Sequence, residues 1–316
     1  MLERLVRETE MPSVEDLSIF SDLSLADWAT VQQMWPTIPE ARRLAMVQTL
    51  VEESYENIHL QLGRFLRVAL QDTNSQVRRL AIEGLWEDAG EDLIGPFVTL
   101  LRNDPVVEVR AAAAAALGVF VLAGELDELD SAQAMRAEEA LLAVLHDETE
   151  ALEVQCRALE SIAFSGEMGV RHLIEDGYYS PYEEMQLSAL LAMGRSADTR
   201  WRGSVRAELD SPSPTMRAAA ARACGELEVR AALPDLLELL LDEEPEVRLA
   251  AIFALGRLGG QDAIDALEAV SAGEDEREAQ AALAALDEVL FYGDDSVPLF
   301  DEESPDDWDD WDEQDD

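Results

Sequence analysis

The chain has 316 residues and a formal net charge of −45, because 68 aspartate and glutamate residues face only 23 basic ones. Every basic residue is an arginine, so chemistry that needs a lysine amine, such as Schiff-base formation, is excluded. The acidity argues against partners that carry phosphate, namely nucleic acid and anionic membranes, while 48% apolar residues are enough for a sizeable core.

The N-terminal segment, residues 1–54, is predicted to form a helical cap. Ser24 precedes a helix that Pro36 ends, and a second helix is expected to begin at Pro39. The opening residues lack the apolar core of a signal peptide. The longest apolar run, 111–124, is shorter than the about 20 residues that span a membrane. We therefore expect a cytoplasmic protein with reduced cysteines.

Residues 55–293 contain a repeat of about 31 residues. Each repeat has an anchor position, an alanine four residues later and, in the same register, an apolar residue eight residues later; this spacing places all three on one face of a helix. An earlier amphipathic helix precedes each of these second helices. The pattern predicts an all-α solenoid of about seven helix pairs. The anchors are Val77, Val109, Val154, Met185, Met216, Val247 and Glu278.

The residue five positions before each anchor is predicted to cap the second helix, because six of the seven have a side chain that can accept a backbone N–H. Three prolines that follow directly are expected at the first helical position, where the missing donor costs nothing. The predicted caps are Asp72, Asp104, Thr149, Ser180, Ser211 and Asp242, and the prolines are Pro105, Pro181 and Pro212.

Segments such as residues 242–256, DEEPEVRLAAIFALG, resemble HEAT repeats, and are most similar to the short HEAT-like repeats of bilin (phycobilisome) lyases and bacterial scaffold proteins. The resemblance covers roughly residues 55–290 and implies an α-solenoid without implying any chemistry. It also implies that the arginine after the anchor pairs with an aspartate of a neighbouring repeat. A DNA groove, as in HEAT-like glycosylases, is the alternative use, which the net charge disfavours. These arginines are Arg78, Arg110, Arg217 and Arg248, with Asp72, Asp104 and Asp242 in register.

No catalytic, cofactor or metal site is predicted. His59, His146 and His172 are scattered, and none precedes a glutamate as in the HEAT-repeat enzyme deoxyhypusine hydroxylase. Cys156 and Cys224 fall two repeats apart, which means about 20 Å at one helix diameter per repeat, too far for a disulfide. We therefore predict a protein that is not an enzyme.

Two regions depart from the regular repeat. The spacing of 45 residues between Val109 and Val154 leaves an acidic insertion near 121–135, which is expected to be a surface loop or a partner contact. Near 176–202, aromatic residues and arginines gather in turns, a composition typical of binding hot spots, although aromatics that close gaps between unequal repeats are the alternative. The candidate protein-binding residues are Tyr178, Tyr179, Tyr182, Arg195, Trp201 and Arg202.

Residues 294–316 are predicted to be a disordered acidic tail. Thirteen of these 23 residues are aspartate or glutamate, and none is basic. Trp308 and Trp311 stand within it, and a purely solvating tail has no use for tryptophan. We therefore expect both to be protein-binding residues.

These features predict a scaffold or adaptor that binds a basic protein or basic peptide segment through an acidic solenoid surface and the tail, with no nucleic acid or membrane partner. Two alternatives remain. A bilin lyase-like protein would need an apolar cleft of tetrapyrrole size. Adaptation to high salt would explain the acidity without any basic partner.

Overall fold

The computed structural model describes residues 17–57, 59–86 and 88–293, which form sixteen α-helices and no β-strand. The helices alternate as first and second members of eight pairs, so the prediction of an all-α solenoid is confirmed. The pairs are α1 (Leu25–Met34) and α2 (Glu40–Glu56), α3 (Gly63–Ala69) and α4 (Ser75–Glu83), α5 (Ile94–Asn103) and α6 (Val107–Glu125), α7 (Ser131–Leu145) and α8 (Leu152–Ile162), α9 (Met168–Tyr178) and α10 (Glu183–Arg195), α11 (Arg202–Ala207) and α12 (Pro214–Glu226), α13 (Leu233–Leu239) and α14 (Pro245–Leu258), and α15 (Gln261–Ser271) and α16 (Glu276–Gly293).

The second helices form a continuous row, because each one packs on the second helix before and after it. The repeat alanines make this close stacking possible, and all seven are fully buried. Two glycines lie at close crossings between second helices. A Cβ on Gly225 would lie 2.8 Å from Ala254 Cα, and one on Gly256 would lie 2.7 Å from Ala285 Cβ. The buried alanines are Ala81, Ala113, Ala158, Ala189, Ala220, Ala251 and Ala282.

The predicted positions of the helix caps are wrong by two residues. The second helix begins three residues after the predicted cap, for example at Ser75 after Asp72 and at Val107 after Asp104. The predicted prolines therefore lie in the turn, and the prolines at the start of a second helix are Pro214 and Pro245. The N-terminal helices behave as expected, since the Ser24 side chain accepts the Asp27 amide at the start of α1.

The aspartates of these turns have a different role, which explains the displaced register. Asp104 accepts two bonds from Arg78, at 2.7 Å from Nε and 2.9 Å from Nη2, and one from the Val106 amide. Arg78 Nη1 meanwhile donates to the Asp72 carbonyl of its own turn. Each such arginine therefore bonds both to a carbonyl of the turn before its own helix and to the carboxylate of the next unit. We call this series the ladder.

The ladder has five such rungs within the described residues, and its predicted use of the repeat arginines is confirmed. Two rungs end on glutamate rather than aspartate, and one begins in the N-terminal pair, where no rung was predicted. The rungs join Arg43 to Asp72, Arg78 to Asp104, Arg110 to Glu150, Arg217 to Asp242 and Arg248 to Glu278.

The ladder is interrupted at α8 and α10, where glutamine occupies the arginine position. Gln186 Nε2 still donates to the Ser180 carbonyl of its own turn, at 2.7 Å. Gln155 bonds to the Asp147 carbonyl instead. Neither side chain forms the ion pair to the next unit, so the interfaces α8–α10 and α10–α12 lack a rung.

The acidic insertion near 121–135 is not the surface loop that the sequence suggested. The extra residues lengthen α6 to 19 residues and α7 to 15, and only 126–130 connect them. The two extended ends pack closely, since a Cβ on Gly124 would lie 2.4 Å from Ala134 Cβ. By length and composition α6 is the one described helix that could cross a membrane, and it packs on α4, α5, α7 and α8.

Candidate functional site: a groove across the second helices

A long groove of about 1360 Å³ crosses the second helices α8, α10, α12, α14 and α16. Its floor consists of half-buried apolar side chains that the helix row cannot cover. They include Leu187, Leu191, Ala218, Leu249 and Phe253.

Glutamates line the edge of the groove where the second helices begin. The residue just before each anchor lies in the first turn of its helix, and at Glu153, Glu184 and Glu246 this residue is exposed. Glu244 adds a fourth carboxylate to the lining. Arg277 occupies the same position on α16 and pairs with Glu246 at 2.8 Å. This edge is therefore predominantly acidic, and we call it the glutamate edge.

Arginines gather near the ends of the same helices. Arg222 lies over the Phe253 ring, 5.4 Å from its centroid, and Arg195 lies over Phe164 at 5.7 Å. Together with Arg257 they surround Glu226, whose Oε2 is buried without a hydrogen-bond partner in the described part of the chain. Burial raises the pKa of Glu226, and the three arginines act in the opposite direction. Of these three arginines Arg222 lines the groove, and Glu160 and Glu288 line it as well.

A buried polar cluster lies where α8 meets α10. Glu160 is 5% exposed and accepts a 2.7 Å bond from the Ser188 hydroxyl and a 2.8 Å bond from Arg157. Its carbonyl accepts Arg195 Nη1. Arg195 therefore ties α10 to α8 and is not a rung of the ladder.

The tyrosines predicted as binding residues lie at the end of α9 and in the turn before α10. Tyr178 is half-buried and donates a 2.6 Å bond to Glu208, and burial and this bond raise its pKa. Tyr179 and Tyr182 are 76% and 57% exposed. The side chain of Tyr178 thus joins two units, while the other two tyrosines offer aromatic surface to solvent.

Trp201 and Arg202, the other predicted residues, lie beyond the far end of α10. Trp201 is 8% exposed, and the Arg202 guanidinium donates to the Leu227 carbonyl. Thirteen helical residues, about 20 Å, separate this end from Tyr182. The structure therefore does not bring the tyrosines and these residues into one site. Trp308 and Trp311 lie outside the described residues.

The groove was not found in the sequence, although one signal was available. Acidic residues recur directly before the anchor at Glu153, Glu184 and Glu246. A helix position next to a buried one faces solvent beside the row, so a repeated charge there marks one edge of a shared surface. The apolar floor carries no such signal, because its residues look like ordinary core.

The three histidines are not brought together in the described part of the chain. His59, His146 and His172 are exposed on separate elements. Cys156 and Cys224 are free and buried, and burial raises the pKa of the Cys224 thiol to about 12. Among the described residues no group of three or more His, Cys, Asp or Glu side chains is placed to hold a metal ion.

Stacked helix pairs with a shared groove define this molecule as a helical-repeat solenoid. A family model described as HEAT repeats matches residues 64–137 and 204–287, half of the chain. The chain therefore belongs to the HEAT-repeat family. No curated protein matches its sequence significantly.

Two solved structures show the same fold. The complex of CpcE and CpcF of phycocyanin lyase from Nostoc sp. is 18% identical with a TM-score of 0.52, over 73% of this chain and 87% of that chain. Yeast importin-beta is 14% identical with a TM-score of 0.51, over 94% of this chain and 47% of that chain. At these identities the likeness is one of fold alone.

Proposed function

We propose that this protein is a non-enzymatic scaffold or adaptor that binds a basic protein or basic peptide segment. The observation that carries the proposal is the groove, where exposed glutamates border an apolar floor. A basic amphipathic segment fits this pattern, because its charges face Glu153, Glu184 and Glu246 while its apolar side chains cover the floor. The protein binds in this way without changing a covalent bond.

The charge of the whole molecule supports the same partner. With a net charge of −45, the protein attracts basic partners over long range and accelerates their encounter. The tail, residues 294–316, adds 13 carboxylates to this field, and Trp308 and Trp311 supply apolar contact once the partner is close. Exposed Tyr179 and Tyr182 offer further aromatic contact at the start of α10.

A triple substitution of groove glutamates tests the proposal. Glu153→Gln, Glu184→Gln and Glu246→Gln remove three charges from the glutamate edge. Glu175→Gln, Glu238→Gln and Glu268→Gln form the matched control, since these exposed glutamates belong to first helices of neighbouring units and do not line the groove. Both variants have the same net charge, so a difference between their affinities for the partner reports the contribution of the groove alone.

The assay is a pull-down of basic proteins from native lysate at low and high salt, followed by affinity measurement on the captured partner. The groove variant should bind about tenfold or more weakly than the control, and salt should weaken binding steeply. Equal affinity of both variants, or affinity that salt does not change, would contradict the proposal.

A second candidate function is tetrapyrrole handling of the bilin lyase kind. It is favoured by the size of the groove, about 1360 Å³, and by Arg157 and Arg222, which could pair with propionate groups. The acidic edge speaks against it. Incubation with a free bilin distinguishes the two functions. A bilin that binds in the groove should shift its absorption band, which would favour tetrapyrrole handling, whereas an unchanged absorption band would count against it.

A further inference from the structure

One face of α6 is apolar and exposed along most of the helix. Four apolar residues recur there at the spacing of a single helix face, and all four are exposed to solvent, up to 57% at Leu126. Residues 111–124 contain no charged side chain, although the chain as a whole has 68 acidic residues. The four residues, which we call the α6 stripe, are Ala115, Val119, Leu122 and Leu126.

The α6 stripe continues the surface of the groove onto the next helix of the row. Ala115 lies six residues after its anchor, at the position that Leu191 and Phe253 occupy in the lining of the groove. Glu108, exposed in the first turn of α6, corresponds in the same way to the glutamates of the glutamate edge. Because α6 packs directly on α8, the stripe and the groove are neighbours on one face of the molecule.

The far end of the stripe is acidic. Four exposed carboxylates lie at the end of α6 and in the turn that follows, and no basic residue occurs between Arg110 and Arg136. Arg136 donates to Gln133 and lies beside Gly95 of α5, more than a helical turn beyond this group. The four carboxylates, which we call the acidic tip, belong to Glu125, Asp127, Glu128 and Asp130.

The surroundings of Glu138 show the same excess of negative charge. Burial raises the pKa of Glu138, and the nearby Glu125 and Glu167 act in the same direction. At Glu226, by contrast, three arginines oppose the effect of burial on the pKa. The end of α6 therefore combines an apolar face with uncompensated negative charge, which a partner that is both apolar and basic would complement.

We propose that the α6 stripe and the acidic tip form a second docking surface, which takes a short apolar segment of the basic partner together with basic residues next to it. This inference rests on the proposed function and adds a site outside the groove. The stripe is about 17 Å long, so a helix of about 11 residues covers it. Two segments of one partner bound side by side raise its affinity, because the second segment binds at high effective concentration.

The charge of the acidic tip disfavours other occupants. A second copy of this chain would bring a second acidic tip. The tail, residues 294–316, would bring 13 carboxylates and no basic residue. An anionic membrane would present phosphate groups. Each of these is repelled by the tip, whereas a basic segment is attracted to it.

The test uses the full chain and a synthetic helical peptide of about 15 residues, with leucines along one face and arginines at one end. A fluorophore that responds to its surroundings is attached through Ser131→Cys, at the exposed first residue of α7 beside the tip. Cys156 and Cys224 are buried and do not take up the label. The fluorophore therefore reports peptide that binds at the tip rather than in the groove.

Removing the apolar surface should have the largest effect on this binding. The test variant is Leu122→Gln with Leu126→Gln. The control, Leu25→Gln with Leu241→Gln, makes the same changes at exposed leucines outside the stripe and the groove. The affinity that the fluorophore reports should fall about tenfold or more in the test variant and stay within about twofold in the control. Equal affinities overturn the inference.

Removing charge at the tip tests the basic residues of the partner. Asp127→Asn with Glu128→Gln should weaken binding of the arginine peptide about threefold or more. The matched control is Asp262→Asn with Glu268→Gln, two exposed acidic residues of α15, and should bind as the wild type does. A peptide with glutamine in place of arginine should bind both variants equally. If the tip variant binds the arginine peptide as tightly as its control, the inference is wrong.

The groove variant separates this inference from the proposed function. Glu153→Gln, Glu184→Gln and Glu246→Gln together should leave the affinity reported by the fluorophore unchanged within about twofold. A larger loss would mean that the reported peptide lies in the groove, which overturns the inference. A captured partner that binds the groove variant and its control equally counts against the proposed function alone.

Two further results would assign the stripe to another occupant and overturn the inference. One is binding to phosphatidylcholine vesicles that Leu122→Gln with Leu126→Gln abolishes. The other is a wild-type dimer in analytical ultracentrifugation that the same variant dissociates. The wild-type protein should show neither.

Discussion

The outer units of the solenoid and its centre are joined by different contacts. On both sides of the centre an arginine fastens each turn to the next unit, as Arg78 does with Asp104 and Arg217 does with Asp242. At α8–α10 the junction consists instead of the Ser188–Glu160 bond and the contact of Arg195 with the Glu160 carbonyl. At α10–α12, Ser213 donates to Glu183.

The comparison separates the contacts that pack the second helices together from the ion pairs that join successive turns. The buried alanines continue through the centre without a break, so the helix row does not depend on the ladder. The ladder adds arginine–carboxylate ion pairs at the beginnings of the second helices. The groove begins at α8, where this ion pair to the next unit is missing. Five predictions test this division, from the largest expected change in stability to the smallest.

Removing a buried rung should have the largest effect. Asp72 is fully buried and accepts bonds from Arg43, from Trp35 Nε1 and from the Asn74 amide. Asp72→Ala leaves the buried Arg43 guanidinium without its carboxylate partner, so the free energy of unfolding should fall by about 3–5 kcal/mol in urea denaturation. Asp92→Ala is the control, since Asp92 is 66% exposed, and should cost about 0–1 kcal/mol. Similar losses would contradict the importance of the rung.

Overpacking the alanine row should be the next largest effect. Ala220 is fully buried in α12, and Ala220→Leu forces extra volume into the row, which should cost about 1–3 kcal/mol. Ala231→Leu changes an exposed alanine and should stay within about 0.5 kcal/mol. Thermal unfolding of both variants measures the difference, and a neutral Ala220→Leu would mean that the packing register is wrong.

Building the missing rung should stabilise the centre slightly. Gln186→Arg and Ser211→Asp place the ladder pair at α10–α12, in the register of Arg217 and Asp242. The pair should show a coupling of about 0.5–1 kcal/mol in a double-mutant cycle. Zero coupling would show that the centre has a geometry in which the rung cannot form.

The contributions of Asp242 and Glu226 to the stability of the folded protein should change with pH in opposite directions. The hydrogen bond from Arg217 lowers the pKa of Asp242 below 3.8, so its contribution is complete above that pH and is lost as the pH falls through the lowered value. The stability difference between wild type and Asp242→Asn should therefore shrink in acid. Burial raises the pKa of Glu226 above 4.5, so Glu226→Gln should gain relative stability as the pH rises from 4 to 7. Equal pH profiles for the two variants would contradict this.

Deleting residues 294–316 should leave the unfolding free energy unchanged within about 0.5 kcal/mol, since the predicted repeats end before them. The loss of 13 negative charges should slow association with a basic partner in stopped-flow measurements. Trp308→Ala with Trp311→Ala keeps every charge and should mainly speed dissociation. If that double substitution changes neither rate, the tryptophans do not contact the partner.

The sequence was sufficient for the fold because the spacing of small residues has one structural meaning. Alanines such as Ala189 and Ala220 recur where helices must approach closely, and that spacing survives differences between units. The caps were placed incorrectly because Asp72 and Asp104 are residue types that suit both a helix cap and an ion pair. The insertion near 121–135 was mistaken for a loop because its charges were weighed above its many helix-forming residues.

The candidate site was predictable only in part, since composition does not reveal which end of a helix a residue occupies. Tyr182 and Trp201 are close in sequence, but α10 places them at opposite ends. The edges of the groove depend on residues from different units, such as Glu184 and Glu246, which become neighbours only when the units stack.

The ladder also has a mechanical consequence. Its rungs connect successive units along the long axis of the solenoid, so a force that stretches the molecule pulls on them directly. The two interfaces without rungs, between 149 and 213, bear the same tension with weaker ties. When the protein is pulled from both ends in an optical trap, the interfaces α8–α10 and α10–α12 should therefore open before the interfaces that have rungs.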